Sequence, residues 1–276
     1  MSMPVPANIR NCTALIRKIE SMPYFARVFG AYTNKLSELS AAIIEEHPEL
    51  SENDVLKIAY SKILSHLCSV MRDAQSSVEA LIQERIDCGK ITNADQSKKS
   101  TAGNVFQQMV AYTLAQNIVQ GNIAGNLTVT MSTKNILEEY ATIKVGEDSQ
   151  KPDSDVLIYD DSNTSSPIMN FSCKTSCKER AGQTYKWKLL SDLASCECDH
   201  KTGNDKCPVN IYHLEYAPQR KIKVCFITAD FYDEIAQPQI AAMFNFFDYS
   251  YVAKPTSSIT TIKPLESVID DINNCF

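Results

Sequence analysis

Apolar residues recur at three- and four-residue spacing through Val55, Ile58, Ala59, Ile63, Leu67, Val70, Met71 and Ala74. This is the period of an amphipathic helix, and it predicts helix over residues 36–88. Ser51-Glu52-Asn53-Asp54 has the capping-box pattern, and Cys88-Gly89 offers a C-terminal cap. A core layer, a dimerisation arm and a DNA clamp all remain open for so long a pattern. Residues 90–102 are polar and read as loop. A second helix is expected from Gly103 to about Val119, a strand over 126–131 and a short helix over 134–141. The apolar runs Val156-Leu157-Ile158-Tyr159 and Ile168 to Phe171 flank the polar turn Asp161-Ser162-Asn163-Thr164-Ser165-Ser166, which predicts a hairpin over 154–176. Beyond it the pattern predicts helix over 183–196, a cysteine-rich loop over 196–208, a strand within Arg220–Asp230 and a helix over about 233–247. That order implies an α/β core over residues 96–276, a mixed central sheet flanked by helices. Residues 1–95 are then a helical N-terminal region that packs on the core or forms an arm.

Composition narrows the class. Hydrophobic content of 44% is that of a globular chain, and no window of 18 uninterrupted apolar residues predicts a membrane span. The start, MSMPVPANIRNC, has no apolar signal region, so a cytoplasmic protein is expected. The ten cysteines then read as thiols in a reducing compartment. A net charge of −6 argues against a protein that coats DNA by charge alone. Charge is local, however. From Lys174 to Lys188 the chain carries Lys174, Lys178, Arg180, Lys186 and Lys188 against Glu179 alone. A cleft of one sign needs such a segment.

The hairpin carries the candidate chemistry. Pro152-Asp153 opens its first strand, and Asp155 lies two residues on, on the same face. Its second strand ends in Ser172-Cys173-Lys174, where period two puts Ser172 and Lys174 together. Carboxylates on one strand and a lysine on its neighbour can converge at one sheet end. There they can hold a divalent metal and an attacking water against a phosphodiester. Hard oxygen donors suit Mg²⁺, which needs only one or two protein carboxylates.

This hairpin resembles the core of the PD-(D/E)XK nucleases. The resemblance implies that Asp153 or Asp155 binds metal, with Asp153 the better match, and that Lys174 is catalytic. It also exposes two departures. Ser172 stands where the family has an acid, and Gln107, after Gly103-Asn104-Val105-Phe106, stands where an upstream helix often carries Glu. Asp192, Glu138 and Glu139 are candidates for the missing acid.

The string Lys174-Thr175-Ser176-Cys177-Lys178-Glu179-Arg180-Ala181-Gly182-Gln183 is similar to the KTTCKDRWRQ-type segment of EcoRII-like type II restriction endonucleases. That group includes BsaWI-like enzymes whose sites contain CCGG. The resemblance implies Mg²⁺-dependent cleavage of double-stranded DNA at a short G/C-containing target. It further implies a homodimer or higher symmetric assembly, and a cognate DNA methyltransferase in a bacterial or archaeal cell. Lys178, Glu179 and Arg180 would read bases, with Gln183, Lys186 and Lys188 continuing the DNA-binding face. Ala181-Gly182 departs from the bulkier Trp-Arg. Independently of the family, Arg can donate twice to guanine O6 and N7, and Glu can accept from cytosine N4.

Two alternatives stay open: a repair or defence nuclease on the same core, and an inactive DNA-binding module. Cys196, Cys198, His200 and Cys207, with His213 nearby, offer zinc ligands, although free cysteines in a polar loop are the simpler reading. No Ser-His-Asp pattern, P-loop or dinucleotide fingerprint is present.

Overall fold

The long helical pattern at the front of the chain resolves into separate pieces. The computed structural model describes residues 5–177, 180–195, 207–215, 220–256 and 259–276. Helices α1 (Ala7–Glu20) and α2 (Pro23–Glu46) come first, then α3 (Glu52–Lys62), α4 (Leu67–Asp73) and α5 (Gln75–Asp87). The apolar period runs on across the breaks. Pro48 disfavours helix at His47, and Ser51 caps the restart by accepting from the Asp54 amide at 3.2 Å. At the far end Gly89 takes a left-handed φ of +70° just past the α5 cap, which an L side chain would resist.

Most of the polar stretch 90–102 is helix, and only residues 90–93 are the expected loop. Helix α6 starts at Ala94 and runs to Val119, and the Asn93 side chain accepts from the Gln96 amide to cap it. The first turns of α6 are exposed, so no apolar period marks them, whereas Met109 to Ala115 are buried on every side. Tyr112 packs edge-on against Tyr32 at 5.3 Å, and the Tyr32 hydroxyl lies 3.0 Å from the Thr113 hydroxyl. The N-terminal helices, α6 and one face of the sheet share a single hydrophobic core.

Strand β1 (Leu127–Thr130) and helix α7 (Lys134–Tyr140) follow. The short strands β2 (Ile143–Val145) and β3 (Asp148–Gln150) belong to a separate small sheet. The hairpin is β4 (Val156–Asp160) and β5 (Ile168–Lys174), with Val156 opposite Phe171. Helix α8 (Arg180–Ala194), the short α9 (Pro208–Ile211) and β6 (Leu214–Glu215) lead to β7 (Ile222–Thr228). The expected helix over 233–247 shrinks to α10 (Pro238–Met243) plus one 3₁₀ turn, because Pro238 fits only the first turn of a helix. Strands β8 (Tyr249–Val252) and β9 (Lys263–Pro264) and helix α11 (Val268–Cys275) complete the chain.

The main sheet has the order β1-β4-β5-β7-β8-β9. It is antiparallel across β1, β4 and β5 and parallel from β5 through β9, so the expected mixed sheet flanked by helices is what the chain adopts. Along β7, Cys225 and Ile227 join the core under α6, while Val224 and Phe226 join a second cluster that includes Ala181 of α8. With both faces covered, all seven residues of β5 are buried. The β5–α8–β7 crossover leaves the carboxyl ends of β5, β7 and β8 facing one way, the end where open α/β sheets hold their ligands. Among the described residues no helix is long and apolar enough to cross a membrane.

Candidate active site

Asp153, Asp155 and Lys174 meet at that end. Asp155 precedes β4, and its amide donates to the Phe171 carbonyl at 3.1 Å, which carries the ladder one residue past the strand. Period two then sets Asp153 on the same face but further out. Lys174, the last residue of β5, donates to Asp155 Oδ2 at 3.0 Å and to Asp153 Oδ2 at 3.2 Å. Burial grades across the three side chains: Asp153 is 41% exposed, Asp155 10% and Lys174 5%.

Asp155 is the most constrained of them. Its Oδ2 also accepts from the Cys173 amide at 2.7 Å, and its Oδ1 accepts from Gln107 Nε2 at 2.6 Å. Gln107 thus reaches the site from α6 as a neutral amide. Burial pushes the Asp155 carboxyl above the usual carboxylate range, against the pull of Lys174 and the Cys173 amide. Burial alone would lower the Lys174 ammonium, but Asp155 and Asp153 outweigh it and hold it above its ordinary value. The lysine is therefore a fixed cation at neutral pH.

Ser172 does not join them. Its hydroxyl lies 2.9 Å from the Thr184 hydroxyl, buried against α8. Asp192 is elsewhere too, because it pairs with Lys188. Lys188 also lies 3.8 Å from Asp248, which pairs with Lys223 at 3.2 Å and accepts from the Val224 amide at 2.9 Å. Val224 is four residues before Thr228, the partner of Lys174, so this network sits at the opposite end of the strands, about 13 Å away. Lys188 is accordingly tied into a structural ion-pair network, and Asp192 supplies no donor at the Lys174 end. Glu138 pairs with exposed Lys151.

Gln183 and Lys186 are exposed at three-residue spacing on α8, one face with position 180. Lys178 and Glu179 lie outside the described residues, as do Cys196, Cys198 and His200, and Arg180 is described only as the first residue of α8. Cys207 is buried in a small cluster with Val209 and Leu214. His213 has a left-handed φ of +48°, and its carbonyl accepts from the Gly146 amide.

Among the described residues no cluster of three His, Cys, Asp or Glu side chains converges. The carboxylates gathered on Lys174 are two, one partly exposed. That set fits a hard cation which keeps several waters and takes one or two protein carboxylates. It does not fit a closed site of four protein ligands.

The segment after β7 also belongs to this end, and the sequence reading passed over it. Asp230 is buried and forms an ion pair with Lys254 at 2.9 Å, and Glu234 reaches the Cys177 amide. Its only signal was the acid-rich string Asp230-Phe231-Tyr232-Asp233-Glu234 after a strand.

A comparison with family models matches residues 132–273 to the family described as BsaWI restriction endonuclease type 2. The match spans the hairpin, α8, β7 and the carboxyl ends described above. No curated protein matches the chain.

Proposed function

The chain belongs to the BsaWI restriction endonuclease type 2 family, and from that premise we propose that it is a Mg²⁺-dependent endonuclease cutting double-stranded DNA at a short G/C-containing site. It is a hydrolase of phosphodiester bonds, of PD-(D/E)XK kind and of the EcoRII-like branch. The observation that carries the chemistry is the convergence of Asp153, Asp155 and Lys174 at the carboxyl end of β5.

Asp153 and Asp155 are the residues that would hold the cation. When bound, Mg²⁺ supplies charge neutralisation at the scissile phosphate and polarises a water. Asp155 is oriented for this by Gln107 and the Cys173 amide, so one carboxylate is fixed before substrate arrives. Partly exposed Asp153 can follow the DNA as it docks. Lys174, held protonated by its two neighbours, acts as a donor rather than a base. It orients the attacking water and stabilises the negative charge that develops on the phosphoryl oxygens. Ser172 contributes through the packing of β5 on α8. One such site among the described residues and two strands to cut favour a symmetric homodimer on a palindromic or nearly palindromic target. A cognate methyltransferase would protect the host DNA.

Incubating the purified protein with supercoiled plasmid and Mg²⁺ tests this directly. Discrete fragments that disappear with EDTA are expected. A smear would identify a nuclease without sequence choice, and intact plasmid would identify a binding module.

Base reading is assigned to Lys178, Glu179 and Arg180. Replacing Arg180 or Glu179 by Ala should cost about 1–3 kcal/mol on cognate DNA, concentrated at one base pair. Binding to cognate and singly substituted duplexes at two salt concentrations checks it. A uniform loss with a flatter salt dependence would show that the segment holds only phosphates.

A further inference from the structure

We infer that Glu234 is a positioning residue that holds the segment after Lys174 in register, so that base reading and the catalytic lysine move as one unit. The inference rests on the reading of Lys178, Glu179 and Arg180 as base-reading residues.

From Thr175 to Cys177 the chain has left the sheet and needs other partners for its backbone groups. The segment after β7 supplies them. The Ala229 amide donates to the Lys174 carbonyl at 3.0 Å, and the Phe231 amide donates to the Thr175 carbonyl at 3.1 Å. The buried Cys177 amide donates to Glu234 Oε2 at 2.8 Å, and the Cys177 thiol lies 3.3 Å from Thr228 Oγ1. Burial pushes that thiol up to about 12, so it stays protonated. Three of these contacts therefore fix Lys174, Thr175 and Cys177 to one neighbouring loop, and the fourth ties Cys177 to β7. Of the three contacts the loop makes, only the bond to Glu234 comes from a side chain.

The loop is itself held from three sides. Asp230 Oδ1 accepts from the Glu234 and Ile235 amides at 2.7 and 3.2 Å, which turns the chain back so that Glu234 faces Cys177. Asp230 and Asp233 take left-handed φ values of +50° and +53°, a conformation aspartate tolerates better than most residues. Lys254, just beyond β8, donates to the Asp230 carbonyl and carboxylate and to Asp233 at 2.7–2.9 Å. Arg72 of α4 donates to the Phe231 carbonyl at 3.1 Å. Strands β7 and β8 and the N-terminal helical region thus converge on a loop whose outward product is one carboxylate against the Cys177 amide. Lys178 follows Cys177 directly, and Arg180 begins α8. A displacement at Cys177 is passed to the base-reading side chains and weakens the match at particular base pairs, because base contacts depend on placement while phosphate contacts tolerate it.

The test pairs an exchange measurement with a binding measurement on the full chain. Glu234→Ala should speed amide hydrogen exchange at Cys177 by about tenfold or more while amides of β7 stay protected. It should lower the preference for cognate over singly substituted duplexes by about ten- to a hundredfold, with affinity for unrelated duplex unchanged. Glu234→Gln keeps an acceptor oxygen and should retain most of the preference. If Glu234→Ala does not fold, Glu234→Asp, one methylene short of Cys177, takes its place with the same expectations. Unchanged exchange at Cys177 overturns the inference. So does faster exchange with full preference retained, or a loss equal across all duplexes. A wild-type chain that shows no sequence preference overturns the base-reading assignment instead, and the exchange result alone then decides whether Glu234 holds the segment.

Discussion

Lys174→Ala is expected to lower plasmid cleavage by about 10²–10⁴-fold, the range for removing a group that acts on charge developing in the transition state. The structure specifies what else changes. Lys174 is the cation shared by Asp153 and Asp155, and Asp155 is nearly buried. Without it two carboxylates face each other, and burial raises the Asp155 carboxyl with its main opponent gone. The metal-free variant should therefore melt below wild type, and a divalent cation, able to take over the neutralising role, should restore part of the difference. Melting curves with and without Ca²⁺ read this apart from catalysis. DNA binding in Ca²⁺ should stay within a few-fold of wild type, since the basic segment beyond Cys177 is untouched. A variant with near-normal turnover would remove Lys174 from the chemistry.

The hairpin was legible because every local signal agrees there. Period-two apolar runs, a polar turn and a Pro-Asp entrance all point to two paired strands, and Val156 to Lys174 falls as that pattern requires. The convergence of Asp153 and Asp155 with Lys174 followed from strand periodicity together with the hairpin pairing and the Pro-Asp entrance. The start of α6 was not legible, because its opening turns are exposed and carry no apolar stripe, and the signal that marks them is a single Asn93 cap. Lys188 was misplaced for a different reason. Proximity in sequence placed it with Lys174, but α8 runs back along the sheet and delivers it to Asp248 at the other end. Asp192 went astray in the same way. The role of Asp230 was hidden because it depends on Lys254, which no local pattern connects to it. Residues whose environment is set by the strand they stand on could be placed from sequence. Residues whose partners come from another strand end could not.

Asp155→Asn has the second large effect, and it isolates the metal. The substitution keeps size and an oxygen for the Cys173 amide at Oδ2, but it removes the charge that a cation needs. It also puts an amide nitrogen at the Oδ1 position, where Gln107 now donates. Cleavage should fall to background at any Mg²⁺ concentration. The discriminating readout is thermal. A cation that binds only the folded protein stabilises it by about 1.4 kcal/mol when present at tenfold its dissociation constant, so wild type should melt higher in millimolar Mg²⁺ or Ca²⁺. The Asn variant should show little of that shift, and Asp153→Asn should retain part of it, because Asp153 is the more exposed and less constrained carboxylate. The pH dependence carries a sign as well. Since burial holds the Asp155 carboxyl above the usual range, acidification protonates it before an ordinary aspartate, and the cation shift in wild type should fade correspondingly early. On its own account this group favours the folded state most when protonated. That contribution is complete below its unfolded pKa and is lost as pH rises through the folded one, so the metal-free protein and the metal-bound protein should respond to acid in opposite directions at this residue. If both Asn variants keep the full cation shift, the cation is held elsewhere and Lys174 serves a purely structural ion pair.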